Sequence, residues 1–388
     1  MRRMLFFIPD NPLKKNSGNK VRALELLKYF KSRGFELEFV SEQSWGEWRP
    51  EDIADFKASG LATNSYIINR KGSKKNLLTY FLFYKLPNFF NEIFSGRIIE
   101  NFSDLVTIRL KSKFNALLKA NSYDYIFINY ASWSSLIEDN KNLGNAITIL
   151  DTHDFLTAQN QDKYDIGESF KEEIRRISLF NHAFAISVEE QYVFSQFSKT
   201  QISLIPMMIQ SPSVAPIAFD SKLYDIIYVA SNNPHNVKAF QWFLNEVYPL
   251  LPLNLSICVI GQITSLLDDK YPKITKIPFA ENLDSFYQEA RVAICPMLTG
   301  TGVKIKVVEA LSYGLPVVCN TRGVDGLLNK TDNGCMVTDD PKEFATNIHV
   351  LLNDENIYNK QSEFAKHTFL SNYESSNCYK KLDKFFNI

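Results

Sequence analysis

Residues 300–316 place a glycine turn, two lysines and one carboxylate in an order that suits a bound nucleotide diphosphate. The stretch is Gly300-Thr-Gly-Val-Lys-Ile-Lys-Val-Val-Glu-Ala-Leu-Ser-Tyr-Gly-Leu-Pro316. The preceding Val292-Ala-Ile-Cys-Pro296 is typical of a short buried strand, so Gly300 and Gly302 fall in a strand-to-helix turn. Ligands of open α/β sheets bind at such carboxyl edges. The spacing therefore predicts an anion site at the edge of a parallel sheet.

The start of the predicted helix supplies positive charge to that site. Free N–H groups of Gly302, Val303 and Lys304 would open the helix and attract a phosphate. Lys304 is the better placed to reach the phosphate because helical side chains lean toward the N-terminus, whereas Lys306 could pair with Glu309. A helix from residue 302 to 309 would rise ~10 Å. That rise would let Glu309 accept both ribose hydroxyls of a nucleotide.

The same residues also fit an ordinary amphipathic helix, and a glycine turn by itself is weak evidence for a ligand. In this alternative the apolar positions form a core stripe. The stripe consists of Val303, Val307, Val308 and Leu311.

Further segments in the same chain order distinguish the two interpretations, because together they resemble family 4 glycosyltransferases of the GT-B fold. They are Ile8-Pro-Asp-Asn-Pro with Ser17-Gly-Asn-Lys-Val-Arg22, Leu150-Asp-Thr-His-Asp154, Ala230-Ser-Asn-Asn-Pro-His-Asn236, Val259-Ile-Gly261 and Gly323-Val-Asp-Gly-Leu327. The resemblance implies an α/β chain with two Rossmann-like domains whose parallel sheets face a central cleft. It also implies hexosyl transfer from a nucleotide sugar to a hydroxyl acceptor, with retention and without a metal ion.

The resemblance also assigns roles to individual residues. It assigns donor binding to Gly18, Ser231, Asn236, Gly300, Thr301, Gly302, Val303, Lys304 and Glu309. Relatives place a histidine near the transferred sugar, which indicates His153 as a catalytic residue, with a structural histidine as the alternative. Asp154 would contact an acceptor hydroxyl or cap a helix. Gly18 would let the backbone approach the donor diphosphate, or it is a turn glycine without a ligand.

The chain departs from the family pattern at three positions. Many relatives carry a glutamate where this chain has Thr301, and an arginine and a lysine where it has Ser231 and Asn236. Lys304 and the helix N-terminus must then balance most of the diphosphate charge. These neutral residues favour one alternative, a non-catalytic GT-B partner subunit of another transferase. A nucleotide-sugar epimerase of the same fold is the second.

Composition and motifs limit the classes of ligand that the protein is expected to bind. Lysine and arginine together number 43, as do aspartate and glutamate, so no global field would hold nucleic acid. The sequence contains no Asp-x-Asp motif, so we predict no metal site and no cofactor. The expected donor is a nucleotide sugar, with a UDP-sugar preferred. The expected acceptor is a bacterial glycan, a lipid-linked glycan or a glycoprotein, as in a polysaccharide or lipopolysaccharide-type transferase.

The order of strands and helices predicts the domain organisation. With 388 residues and 45% hydrophobic content, the chain can bury two cores. Alternating strands and helices favour parallel sheets. We predict strands at 5–8, 37–40, 125–129, 147–150 and 183–187, then at 225–230, 256–260, 274–277, 292–295 and 316–319. The predicted parts are an acceptor domain over 1–205, a proline-containing linker over 206–222, a nucleotide-sugar domain over 223–370 and a C-terminal helix over 371–388 that crosses back to the first domain.

An aromatic segment at about 73–102 interrupts the N-terminal domain and is flanked by lysines. It is either a helical insertion packed on the sheet or an interfacial surface that meets a lipid-linked acceptor or the membrane. No apolar run is long enough to span a bilayer, and the N-terminal apolar run stops at Pro9-Asp10 without a cleavage site. Five cysteines, odd in number and far apart, indicate reduced thiols. We therefore expect a cytoplasmic protein, in peripheral contact with the inner face of the membrane under the second interpretation.

Overall fold

The computed structural model describes residues 2–15, 17–71, 77–94, 102, 104–213, 217–268, 271 and 273–388. The chain divides into two compact units. The first is Met1–Ile205 together with Ile388, and the second is Pro206–Asn387.

The described part of the first unit contains a seven-stranded sheet in which every neighbouring pair is parallel. Its strands are β1 (Arg3–Phe7), β2 (Glu36–Glu42), β3 (Asn64–Ile68), β4 (Tyr125–Asn129), β5 (Ile147–Asp151), β6 (His182–Ala185) and β7 (Gln201–Leu204). Its helices are α1 (Gly18–Ser32), α2 (Pro50–Ala58), α3 (Leu77–Tyr80), α4 (Leu86–Phe94), α5 (Ile108–Ala120), α6 (Leu156–Gln159), α7 (Ile166–Ile177) and α8 (Val188–Phe197). The strand order is β3-β2-β1-β4-β5-β6-β7.

Both faces of this sheet are buried, which is why its central strands are apolar without alternation. Phe6 lies within 5.0 Å of Phe127, ring centre to ring centre, on the face that α1 covers with Phe30. Leu5 and Phe7 point to the opposite face, where they pack with α5 and with Trp133. The sheet is thus a rigid platform whose carboxyl edge carries the loops after β1, β4 and β5.

The described part of the second unit contains a six-stranded parallel sheet. Its strands are β8 (Tyr224–Val229), β9 (Ile257–Ile260), β10 (Ile274–Ile277), β11 (Ala290–Cys295), β12 (Val317–Cys319) and β13 (Cys335–Val337). Its helices are α9 (Pro234–Trp242), α10 (Asp284–Gln288), α11 (Ile305–Ser312), α12 (Pro341–Asn353), α13 (Glu355–Asn372) and α14 (Ser375–Phe386). The strand order is β10-β9-β8-β11-β12-β13.

Shorter helical turns connect these elements. The 3-10 helices are Pro12–Lys14, Ala131–Leu136, Phe219–Ser221, Tyr248–Leu250, Gln262–Leu266 and Thr321–Val324. The wider π turns are Phe81–Lys85 and Phe243–Val247. The π turn Phe81–Lys85 joins α3 to α4, so the described part of the aromatic segment is helical. The rest of the predicted insertion lies outside the described residues at 73–76 and 95–101, and Phe102 is described.

Each predicted strand corresponds to a strand of the structure, but three strands were missed. These are β3, β7 and β13, all of which lie at sheet edges. The C-terminal helix α14 groups with the second unit, where Ile209 and Glu374 form a β-bridge just before it. Its predicted crossing to the first domain stays a prediction. The five cysteines are free thiols, and Cys335 is the one that is half-buried.

Candidate functional site

The candidate nucleotide site lies where the strand order of the second sheet reverses. From β8 the chain builds outward through β9 and β10, then returns to place β11 on the other side of β8. Ligands of open α/β sheets bind outside the carboxyl ends of strands at such a switch point. The loop after β8 carries Ser231 and Asn236, and the loop after β11 carries residues 300–304. The structure thus brings these predicted donor residues to one edge.

The glycine turn after β11 has the backbone conformation that its sequence predicts. Gly300 and Gly302 have φ angles of +92° and +76°, a region that favours glycine. Lys304 folds back over the turn, and its Nζ donates to the carbonyl oxygens of Gly300, Thr301 and Gly302 at 3.2, 3.1 and 2.8 Å. Its ammonium therefore braces the turn, and burial lowers the pKa of Lys304.

The predicted start of the helix was wrong by three residues. α11 begins at Ile305 with Lys304 as its N-cap, and the N–H groups of Val307 and Val308 already donate to the Lys304 carbonyl. The positive φ of Gly302 is the physical reason, because a right-handed helix cannot include it. From Ile305 to Glu309 the helix rises ~6 Å, less than the ~10 Å expected for a helix that starts at residue 302.

A second glycine holds Val303 in place. Gly326, from the Gly323-Val-Asp-Gly-Leu327 segment, has a φ of +77°, and a Cβ there would lie 2.6 Å from Val303 Cγ2 and 3.0 Å from Val303 N. On the other side, a Cβ on Gly300 would lie 3.3 Å from the His235 ring. The His235 Nδ1 lies 2.9 Å from Thr299 Oγ1. The two glycine-containing motifs therefore form one packed assembly.

Lys306 lies across the switch point. Its Nζ donates to Asn236 Oδ1 at 2.8 Å and lies 4.9 Å from the centre of the Tyr228 ring. The Asn236 amide in turn donates to the carbonyl and hydroxyl oxygens of Ser231 at 3.0 and 3.2 Å. Burial lowers the pKa of Lys306, while the nearby Glu309 carboxylate opposes that shift. A cation therefore connects the loops after β8 and β11, where the sequence has neutral residues at 231 and 236.

Glu309 and Thr301 carry unused hydrogen-bonding capacity near the turn. The Glu309 Oε2 accepts one bond from the Tyr287 hydroxyl at 3.3 Å, and burial raises the pKa of Glu309 to about 7. Tyr287 stacks on Tyr313, with ring centres 5.1 Å apart. The buried Thr301 hydroxyl has no hydrogen-bond partner among the described residues. Such groups are costly unless something completes their bonds.

In the first unit, His153 lies at the carboxyl edge, just after β5, as predicted. The residue is 4% exposed, and its Nε2 lies 2.7 Å from Asn129 Oδ1 and 3.2 Å from Asp151 Oδ2. Tyr130 stacks on the ring at 4.3 Å between centres. Burial lowers the pKa of His153 to about 4. The side chain is therefore neutral at physiological pH.

Sequence reasoning did not predict that two other residues, Arg22 and Asn129, lie beside His153 and Asp151. Arg22 is 1% exposed and holds Asp151 in a two-bond ion pair, with Nε and Nη2 at 2.8 and 2.7 Å from its oxygens. Asn129 ends β4, the strand beside β5, so the rule that polar residues at adjacent strand ends meet could have found it. Tyr287 had no comparable signal, because it approaches Glu309 from another helix.

The remaining predicted residues lie beside these groups. Gly18 begins α1, and the loop before it is tied down because Asn19 Nδ2 donates to Asp10 Oδ2 at 2.9 Å. Asp154 follows His153 and is half-buried. Burial raises the pKa of Glu190 and of Tyr130, and the negative charge of Asp154 adds to both shifts. Neither observation assigns a ligand to Gly18 or Asp154, so both stay predictions.

Comparison with known proteins identifies the fold. Residues 224–354 match the family Glycosyl transferases group 1. The structure resembles sucrose-phosphate synthase from Thermosynechococcus elongatus, with a TM-score of 0.71 and 12% identity. The match covers 100% of this chain and 98% of the synthase chain. They also resemble Anabaena HepE in complex with UDP, with a TM-score of 0.69 and 12% identity over 100% of both chains. The chain has the GT-B fold.

A curated relative extends the likeness along the sequence. It is an uncharacterized 44.6 kDa protein in the cps region of Klebsiella pneumoniae, 21% identical over 422 residues that cover 99% of this chain and all of the relative. The resemblance to GT-B glycosyltransferases that the motifs indicate is thus confirmed, as are the two helix-covered parallel sheets. The group 1 match falls on the unit that holds the glycine turn.

Proposed function

We propose that this chain is a family 4 glycosyltransferase that moves a hexosyl group from a UDP-sugar to a hydroxyl of a bacterial glycan, with retention and without a metal ion. The observation that carries the proposal is the assembly of residues at the switch point of the second sheet. A glycine turn, a cation, the Glu309 carboxylate and a hydroxyl without a partner among the described residues lie there, within the segment that matches Glycosyl transferases group 1.

Each of these groups has a task in the proposed reaction. Glu309 accepts the ribose hydroxyls in place of the Tyr287 bond, and the hydroxyl of Thr301 bonds a hydroxyl of the sugar. Lys306 and the N-terminus of α11 stabilise the diphosphate, whose negative charge grows as the glycosidic bond breaks. The departing phosphate helps to deprotonate the incoming hydroxyl. Neutral His153 of the first unit forms a hydrogen bond with the substrate without adding charge.

The comparisons supply support for the donor and the acceptor. HepE was solved with UDP and with UDP-glucose, which favours a UDP-sugar as donor here. The Klebsiella relative belongs to a cps region, which favours a polysaccharide acceptor. The resemblance of the motifs supports retention and metal independence.

A transfer assay tests this function. The protein is incubated with UDP-[14C]glucose and UDP-[14C]GlcNAc in EDTA, with lipid-linked glycans from a bacterial membrane extract as acceptors. Release of UDP that requires an acceptor, with label in the glycan, supports the proposal. Tight binding of UDP without turnover for any sugar would instead indicate a non-catalytic partner subunit. Conversion of the UDP-sugar to its epimer, without an acceptor, would indicate an epimerase.

One surface favours a contact with the membrane, and we propose that α3, the π turn and α4 lie on an anionic lipid surface. Within residues 77–90, six large apolar side chains are 44–73% exposed, and they are Leu77, Leu78, Phe81, Leu82, Phe89 and Phe90. The π turn takes up one extra residue, which brings Phe89 and Phe90 into phase with the earlier four. None of the helices in the described part of the chain is long and apolar enough to cross a membrane.

The charge around this surface favours anionic headgroups. The sequence has Lys71, Lys74, Lys75 and Lys85 around it and no acidic residue between 71 and 91. Apolar groups with flanking lysines are typical of interfacial helices. Flotation with phosphatidylglycerol vesicles should recover the protein, and Phe81→Ser with Phe89→Ser should lose it. Equal recovery of both proteins, or recovery with phosphatidylcholine alone, would contradict the proposed surface. A concentration-dependent dimer that the two substitutions dissolve would identify a second copy as the partner.

A further inference from the structure

The hydrogen bonds around His153 determine which ring nitrogen carries the proton. Among the described residues the ring makes two polar contacts, and both fall on Nε2, with Asn129 Oδ1 at 2.7 Å and Asp151 Oδ2 at 3.2 Å. The orientation of the Asn129 amide is set from its other side, because its Nδ2 donates to the Phe7 carbonyl at 2.6 Å. The oxygen of Asn129 must therefore face the ring. Two acceptors at Nε2 require that Nε2 carries the hydrogen.

The charges nearby keep the ring neutral. Asp151 carries a negative charge, but Arg22 satisfies both of its oxygens through two short bonds. Burial disfavours the imidazolium, which is why the pKa of His153 falls to about 4. A neutral ring protonated at Nε2 has its lone pair on Nδ1. That nitrogen can accept a hydrogen bond.

The orientation of the ring is fixed as well. His153 has a φ of +60° and Tyr130 has a φ of +68°, backbone conformations that residues other than glycine seldom adopt. The two rings stack with an interplanar angle of 21°. Strained backbone at adjacent loop positions indicates a functional constraint.

We propose that Asn129 is a positioning residue of the transferase site: it holds His153 as the neutral tautomer protonated at Nε2, so that Nδ1 accepts a hydrogen bond from a substrate hydroxyl. The inference rests on the proposed function for its substrate. The chain of bonds runs from the Phe7 carbonyl through Asn129 to the ring, and Arg22 fixes Asp151 as the second acceptor. Asn129 itself touches no reacting atom in this scheme.

Nitrogen NMR tests the tautomer in the substrate-free protein. A two-bond proton–nitrogen spectrum of 15N-histidine-labelled protein at neutral pH separates the two tautomers, and His153→Gln identifies the signal. We expect a protonated Nε2 and an unprotonated Nδ1. Asn129→Leu removes the acceptor of the shorter contact at Nε2. The fraction of His153 protonated at Nδ1 should therefore rise roughly fivefold. A wild-type ring protonated at Nδ1, or an Asn129→Leu spectrum identical to wild type, would overturn the inference.

Two further variants separate positioning from general destabilisation. Asn181→Leu is the matched control, because Asn181 Oδ1 accepts from Thr148 N at 2.8 Å at the opposite edge of the same sheet. It should leave the His153 signal unchanged. Asn129→Asp keeps an oxygen acceptor at Nε2, so it should keep the wild-type tautomer, and it remains informative if Asn129→Leu fails to fold.

Kinetics completes the test. Asn129→Leu should lower kcat on the order of tenfold or more, because the ring loses the hydrogen bond that fixes its orientation as well as its tautomer. Its UDP affinity should stay that of wild type, since the nucleotide groups are on the other unit. A wild-type kcat in Asn129→Leu would overturn the positioning role. The NMR measurement uses no substrate, so its failure is distinguishable from a failure of sugar transfer itself.

Discussion

The carboxylate of Glu309 should make nucleotide binding depend on pH. Burial raises the pKa of Glu309 to about 7 from 4.5. Between these two pH values, the folded, unliganded protein therefore holds a proton there that the unfolded chain has already released. Ribose hydroxyls bond best to the charged form. We therefore expect the affinity for UDP to be greatest above about pH 7 and to fall as the pH drops through that value.

A matched variant isolates this effect from the titration of the phosphates. Glu309→Gln removes the charge with little change in shape, and the loss of charged hydrogen bonds should weaken UDP binding roughly ten- to a hundredfold. Its remaining pH dependence is that of UDP alone. Calorimetric titrations at several pH values measure both. Wild-type affinity in a folded Gln variant would remove Glu309 from the nucleotide site.

Replacing Lys304 and replacing Lys306 should have different effects on the protein. Lys306→Met removes the cation that lies across the switch point, so UDP affinity and kcat/KM should fall at least about tenfold with small effects on stability. In Lys304→Met, three turn carbonyls lose their donor, and the free energy of unfolding should fall by about 1–3 kcal/mol. Denaturant unfolding and calorimetry separate the two. If Lys304→Met keeps full stability but loses UDP, its ammonium leaves the turn to meet the diphosphate.

His153 should matter for turnover more than for nucleotide affinity. His153→Ala removes the ring that we propose binds the substrate, so we expect most transfer to be lost while free UDP still binds. Because the residue has a positive φ, His153→Asn is the better-tolerated companion, since asparagine adopts that conformation more readily. Rates and UDP affinities of both variants provide the measurement. Wild-type turnover in either one would make His153 a structural residue.

At the scale of elements, the two glycine motifs should depend on each other. Gly326→Ala places a Cβ 2.6 Å from Val303 Cγ2, in addition to the cost of a positive φ. Gly34 is a matched control because its φ of +72° is similar and a Cβ there meets nothing within 4 Å. Gly34→Ala should cost ~1–2 kcal/mol of stability. Gly326→Ala should cost more and should also weaken UDP binding.

Equal losses in unfolding free energy for Gly326→Ala and Gly34→Ala would contradict this packing. So would unchanged UDP affinity in Gly326→Ala.

The strands that sequence reasoning missed share a physical reason. β3, β7 and β13 are edge strands of three to five residues, and their partly exposed residues do not form the apolar run of a central strand. β10 is also an edge strand, and its Ile274-Thr-Lys-Ile277, in which three of the four residues are β-branched, was predicted. The start of α11 was misplaced because residue spacing does not show that Gly302 adopts a positive φ and that Lys304 is the N-cap.

At the scale of the whole molecule, the sequence predicted the GT-B fold and where its site residues lie better than how their side chains are paired. The motifs placed Glu309, Thr301, Asn236 and His153 at carboxyl edges of their sheets. They did not indicate that Lys306, rather than Lys304, reaches Asn236. Pairings of this kind join residues far apart in the chain, so local patterns carry no signal for them.

A thermal-shift panel of UDP, GDP, ADP and CMP is the sharpest test of whether the second unit binds a nucleotide diphosphate at its switch point. A ligand at about 100 times its Kd adds roughly 2.7 kcal/mol to stability. We predict the largest rise in Tm with UDP, a much smaller rise in Glu309→Gln and Lys306→Met, and an unchanged rise in His153→Asn. A larger shift with GDP would replace the proposed donor. No shift with any of the four nucleotides would contradict the account.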